Sequence, residues 1–207
     1  CEQLAPGCAV VGGDLAAADQ VFISVTAHGQ LEGRQPVLRS GAQPGDIVAV
    51  AGTLGRAAAG LALLFSGNQD AVNAYDDFVN AQRRPNPPIA AGVDAATAGA
   101  TSMLDISDGL AKDAGRIAKA SSVLLDLRRQ DLDGFVAMLE EPARAIGADA
   151  FAWVLHGGED HSLLATFPAG AKLPRQFKAI GVVSEGSGLT LDGQPVAEKG
   201  WDSVVGK

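Results

Sequence analysis

Apolar and polar positions follow one another along this chain in two rhythms. A two-residue alternation rich in β-branched side chains runs through Val21-Phe22-Ile23-Ser24-Val25-Thr26-Ala27 and predicts a strand. Short apolar runs at Cys8-Ala9-Val10-Val11, Ile47-Val48-Ala49-Val50-Ala51, Ser122 to Leu127 and Ser162 to Phe167 predict further strands. Helical spacing appears in Leu110, Ala114, Ile117 and Ala118, and again in Phe135, Val136, Leu139, Ala143 and Ile146 within the stretch Leu132 to Ile146. Another helix is expected from Gln69 to Arg83. It ends at Arg84-Pro85-Asn86-Pro87-Pro88, because proline disfavours helix before it and lacks the N–H that continues one. The tail from Phe177 to Val205 alternates short strands with glycine turns, and no internal repeat appears. Together these elements read as a sheet with helices packed on it.

Chemistry concentrates where one apolar run gives way to a helical pattern, in Met103-Leu104-Asp105-Ile106-Ser107-Asp108-Gly109-Leu110. Asp108 precedes the helix that begins near Leu110, where a carboxylate accepts free backbone N–H groups and meets the favourable end of the helix dipole. Capping accounts for one acid only. Asp105 closes an apolar run, where a charge is costly unless something cationic meets it, and Mg²⁺ suits hard oxygen ligands while leaving room for phosphate and water. The residues alone leave metal and cap both open.

Other turns carry weaker signals. Gly12-Gly13-Asp14 is compatible with a hairpin turn or with a backbone that approaches a phosphate beside a metal-holding carboxylate. Gly52-Thr53-Leu54-Gly55 sits between a strand and a small-residue helix but lacks the Gly-Lys-Ser/Thr ending of a phosphate loop, so close helix packing explains it better. Gly157-Gly158-Glu159-Asp160 reads either as a tight approach to a ligand or as a solvated turn. His156 and His161, five apart, do not share a helix face and are assigned neither metal nor proton-transfer work.

Length and charge narrow the picture. A chain of 207 residues fits one large or two small domains and can bury about 70% of its unfolded surface. The net charge of −8 argues against a nucleic-acid surface or an anionic membrane, either of which would want a basic stripe. Cys1 and Cys8 form no metal pattern and read as reduced thiols of a cytoplasmic protein. No run approaches the ~18 apolar residues of a membrane span, and no signal-peptide order is present. The chain does not begin with methionine, and Cys1-Glu2-Gln3-Leu4 reads like the tail of a helix, which raises the expectation of an upstream part.

Four motifs in series, Val10-Val11-Gly12-Gly13-Asp14, Leu38 to Asp46, the Asp105 to Leu110 turn and Gly157 to Asp160, resemble the thiamine-monophosphate kinase family of PurM-like, ATP-dependent enzymes over nearly the whole chain. The resemblance implies an α/β fold of PurM-like type. Residues 1–32 would be a remnant of the amino-terminal ATP-binding domain, and residues 33–207 the carboxy-terminal domain. It implies ATP-dependent, Mg²⁺-assisted phosphorylation of thiamine monophosphate to thiamine diphosphate. Gly13, Asp14, Arg39 and Ser107 would contact ATP, and Asp14, Asp105 and Asp108 would hold metal. Glu159 and Trp201 would contact the substrate, the indole by stacking and cation–π attraction. No catalytic general base is assigned. The resemblance also implies an upstream part before Gly12-Gly13-Asp14 that carries further metal-binding aspartates and the dimer contacts, and a full-length protein that is a homodimer. Two departures from the family pattern stand out: Pro88 where arginine is common, and His161-Ser162 where Tyr-Glu is usual. Two rival readings are another PurM-like synthetase, and a catalytically inert fragment that supplies only an association surface.

Overall fold

The computed structural model describes residues 5–197 and 199–200. Its centre is one seven-stranded sheet. The strands are β1 (Ile47–Ala51), β2 (Ser102–Ile106), β3 (Leu124–Leu127), β4 (Ser162–Phe167), β5 (Phe177–Ser184), β6 (Gly188–Leu191) and β7 (Gln194–Pro195), in the spatial order β2-β4-β1-β5-β3-β6-β7. All neighbours run antiparallel except β3 and β6. The helices are α1 (Arg56–Phe65), α2 (Gln69–Ala74), α3 (Asp76–Arg83), α4 (Ile89–Thr97), α5 (Leu110–Ser121), α6 (Arg129–Ala137), α7 (Glu140–Ile146) and α8 (Ala150–His156).

The period of two divides β1 between two cores. Val48 and Val50 face a large cluster built with Leu54, Leu63, Ile106, Leu110, Ile117 and Leu164, whereas Ala49 and Ala51 face the other side of the sheet. On that side, Ala91 and Ala95 of α4 meet Ala165, Phe167 and Phe177. Small residues facing each other let this helix lie close to the sheet.

Several expectations change in detail. The single helix from Gln69 to Arg83 is two helices, broken at Tyr75 (φ −120°, ψ 40°). The helical stretch from Leu132 to Ile146 is likewise divided between α6 and α7. Pro142, in the first turn of α7, has no N–H to donate back to the preceding helix. No expectation covered α4 or α8.

The larger correction concerns the start. Residues 5–38 hold no strand or helix, so the strands expected at Cys8 to Val11 and Val21 to Ala27 are not formed. Val10, Val11, Leu15, Val21, Phe22, Ile23 and Val25 are each 80–100% exposed. A strand exists only through its hydrogen-bonded partner, and among the described residues no strand pairs with these segments.

Candidate functional site

The strand-to-helix corner between β2 and α5 forms as the pattern indicates, and its internal bonds decide what each acid does. Alternation along β2 buries Ile106 and leaves the Asp105 side chain 57% exposed. Asp105 is therefore solvated, and the expected need for a buried cation beside it does not arise. Gly109 turns the chain at φ 126°, a conformation suited to glycine, and no side chain of the cap residue closes α5.

Asp113, one turn into the helix, supplies that closure instead. Its Oδ2 accepts the backbone N–H of Asp108 at 2.9 Å and of Gly109 at 3.2 Å. Its Oδ1 accepts Arg116 Nη1 at 2.5 Å. Burial pushes the Asp113 carboxyl pKa upward, against the lowering influence of the Asp108 N–H and Arg116. Asp108 is thus not the cap. Its Oδ2 meets Arg116 Nη2 at 2.5 Å and Lys112 Nζ at 3.3 Å. Burial works against the Arg116 charge, but the bonds to Asp108 and Asp113 outweigh it and raise that pKa further.

A second loop, Gly157 to His161, clasps this corner. The Glu159 N–H donates to Ser107 O at 2.9 Å, and the His161 N–H donates to Ile106 O at 3.1 Å. Gly158 lies so near that a Cβ there would stand 2.5 Å from Ser107 O. Within the loop, Glu159 (φ 68°) and His161 (φ 50°) both adopt left-handed backbone, which costs side-chain-bearing residues roughly 1–2 kcal/mol each. His161 stands between two acids, with Nδ1 3.5 Å from Asp105 Oδ2 and Nε2 3.9 Å from Glu159 Oε2.

Glu159 and Asp160 part company. Glu159 is half exposed, whereas Asp160 is buried and points inward. Its carboxylate accepts Thr53 Oγ1 (2.9 Å) and the N–H groups of Gly55 (2.7 Å), Arg56 (3.2 Å) and Ala57 (3.4 Å). Burial pushes its pKa upward, against these hydrogen bonds. The glycine turn before α1 is therefore occupied by the chain's own carboxylate, and a phosphate has no room at those N–H groups.

Beside the clasp opens a cleft of about 500 Å³ whose lining includes Ala58, Leu61, Gln82, Gly158, Glu159 and Gly200. Gly200 packs against Asp108 O and Lys112, and Lys199 O is 3.2 Å from His156 Nδ1. Trp201, the next residue, lies outside the described residues.

The structure brings Asp105, Ser107, Asp108 and Glu159 to one place. It leaves Gly13 and Asp14 in the exposed segment, where Asp14 Oδ1 accepts the Leu15 N–H at 2.9 Å. Arg39 sits at the opposite end of α5, its carbonyl accepting Ser121 Oγ at 3.1 Å. That is a helix length from the corner, about 18 Å. Among the described residues no three acid, imidazole or thiol groups form a metal cluster. Asp105 and Asp108 offer the hard carboxylate oxygens that a divalent cation takes, with water and phosphate oxygens to complete its shell, although Asp108 Oδ2 is already met by Arg116 and Lys112.

Sequence reasoning passed over Asp113, Arg116 and Lys112. The available signal was their spacing: Asp113 and Arg116 stand at i,i+3 and Asp108 and Lys112 at i,i+4, so acid and base face each other along one side of α5.

No family model matches the chain. Curated proteins do. Thiamine-monophosphate kinase of Mycobacterium tuberculosis (strain CDC 1551 / Oshkosh) is 44% identical over 202 residues, covering 95% of this chain and 58% of the relative. That of Corynebacterium glutamicum is 39% identical over 200 residues, 94% of this chain and 60% of the relative. The chain therefore spans somewhat over half the length of these relatives. Among solved structures, the complex of AaThiL with AMPPCP and TMP superposes with a TM-score of 0.68 at 34% identity, over 81% of this chain and 54% of that one. The thiamine-monophosphate kinase of Aquifex aeolicus gives the same TM-score at 33% identity, over 77% and 54%. Hydrogenase maturation protein HypE, at 12% identity and a TM-score of 0.51 over 81% of this chain and 56% of that one, shares the fold alone.

Proposed function

The chain belongs to the thiamine-monophosphate kinase family with its PurM-like fold, and on that premise we propose that the protein phosphorylates thiamine monophosphate with ATP to give thiamine diphosphate. The observation that carries this reading is the clasp. The acidic corner of Asp105 and Asp108 and the loop of Glu159 are tied by two backbone hydrogen bonds next to an open cleft. In this reading the groups that would handle phosphate and those that would handle substrate are tied together by these bonds.

In this reading Asp105 and Asp108, with Asp14, hold Mg²⁺. When bound, the ion supplies charge neutralisation to the phosphates that must meet in line. Ser107 contacts ATP from the same corner, and Gly13 and Arg39 contact ATP on the strength of their family positions. Glu159 and Trp201 take the thiamine side, where a carboxylate and an indole face both suit a thiazolium cation. The attacking phosphate oxygen is already ionised near neutral pH, so no side chain has to remove a proton, and transfer is direct. The segment before residue 33 belongs with the ATP-binding part, and the full-length protein is a cytoplasmic homodimer.

A second reading is favoured by one feature: Gly13 and Asp14 stand in an exposed stretch, apart from the corner. By itself this 207-residue chain then folds without turning over substrate. Isothermal titration of thiamine monophosphate, and separately of an ATP analogue with Mg²⁺, into the chain tests both readings. Binding of thiamine monophosphate supports the kinase reading. Silence for both ligands, on a chain of confirmed mass and fold, favours the inert piece.

A further inference from the structure

The corner holds one arrangement that its proposed cation-binding role does not require. Arg116 grips two carboxylates at once, Nη1 on Asp113 Oδ1 and Nη2 on Asp108 Oδ2, each at 2.5 Å. Asp113 is the fixed end of this grip. Its side chain is fully buried, and its other oxygen is tied to the Asp108 and Gly109 amides. The guanidinium is thus anchored from inside and presents its second N–H to Asp108 with little freedom to withdraw. Lys112 approaches the same Asp108 oxygen.

Two consequences follow for any cation at Asp108. Oδ2 is engaged, so Oδ1, which carries neither of these ion pairs, is the oxygen left to it. The carboxylate's charge is also already partly neutralised by Arg116, whose side chain is 37% exposed, while the Asp108 side chain is itself only 17% exposed, where solvent screens a charge less than in open water.

We propose that Arg116 and a divalent cation share the Asp108 carboxylate, with Asp113 as the positioning residue behind Arg116, so that the cation is held weakly and exchanges. This rests on the reading of Asp105 and Asp108 as the cation site. It extends that reading by naming residues that tune the site without touching the cation. A purely structural Arg116 predicts the opposite sign: without it the corner loosens and the cation binds less well.

The test uses Mn²⁺ alone, titrated into the full-length protein without nucleotide and followed by electron paramagnetic resonance. Arg116→Met removes the competing charge and is expected to tighten Mn²⁺ by about tenfold. Arg116→Gln, which keeps a hydrogen-bonding head, is expected to tighten it similarly and decides the matter if the Met variant fails to fold. Arg116→Lys retains the charge and should stay within about threefold of wild type. Unchanged or weaker Mn²⁺ binding in folded Met or Gln variants overturns the proposal. If the wild type binds no Mn²⁺, the cation reading of the corner falls, and this inference falls with it.

Discussion

Two corners of this molecule are built alike and behave differently. At β1–α1 and at β2–α5 a strand runs into a glycine turn at positive φ, and neither cap residue closes its helix with a side chain. At the first corner the free amides receive Asp160, delivered from a loop about a hundred residues away. At the second they receive Asp113 from the helix itself, which leaves Asp105 open to solvent and Asp108 poised between cations. One corner is saturated by a buried acid; the other leaves Asp105 exposed beside His161 and Asp108 paired with Arg116 and Lys112, and in the proposed reading it is the one that serves chemistry. What a helix N-terminus does depends on which acid reaches it first.

That contrast is most exposed at Asp105. If the second corner handles phosphate with a divalent cation, Asp105→Asn in the full-length protein should lower turnover at least about a thousandfold. Its exposure should keep the stability change within about 0.5 kcal/mol. Turnover at the wild-type rate removes Asp105 from the site. The first corner should answer in the opposite way: Asp160→Ala strips three backbone donors and a hydroxyl of their acceptor and should cost about 3 kcal/mol in urea unfolding. A loss below about 1 kcal/mol would show that α1 finds other partners, and the two corners would then be equivalent.

Glu159→Gly tests the loop that joins the corners. Relief of left-handed strain against the entropy of a new glycine should leave stability unchanged or raised by up to about 1 kcal/mol, while thiamine monophosphate binds more weakly. Weaker binding with a matching loss of stability would mean that Glu159 only supports the turn.

The smallest effect concerns pH. Burial raises the Asp160 pKa in the fold, so between the ordinary value and the raised one the folded chain binds more protons than the unfolded chain. Its contribution is therefore full below the ordinary carboxylate value and declines as pH rises through the raised one. The stability difference between wild type and Asp160→Asn should be larger near about pH 4 than near about pH 7, and the reverse trend would show that hydrogen bonding outweighs burial.

Much of this architecture could be read from local pattern. Ile47–Ala51, Ser162–Phe167 and the β2–α5 corner announce themselves because the apolar pattern that marks each lies within the segment. The alternating Val21 to Ala27 carries the same signal and forms no strand, because pairing is a property of two segments. The site divides along the same line. Asp105, Ser107 and Asp108 share one legible turn, Glu159 was joined to them only by the family resemblance, and the loop's backbone bonds bring the two turns together. That Asp160 turns inward while its neighbour Glu159 faces out depends on donors at Gly55 to Ala57, which no window around residue 160 contains. The hold of Asp113 and Arg116 on Asp108 was closer at hand in helical spacing, but it becomes meaningful only once Asp113 is known to be buried.

The tight seating of Gly158 and Gly109 reaches beyond this one chain. A methyl group on Gly158 would press on Ser107 O, and one on Gly109 would stand 2.6 Å from His156 O, backbone atoms that no rotamer change can move aside. Gly12 and Gly13 meet nothing within 4 Å. In a library of every single substitution, the first pair would tolerate almost no replacement, while the second would accept many as far as folding is concerned. Any intolerance there would not come from contacts that Gly12 and Gly13 make within this chain.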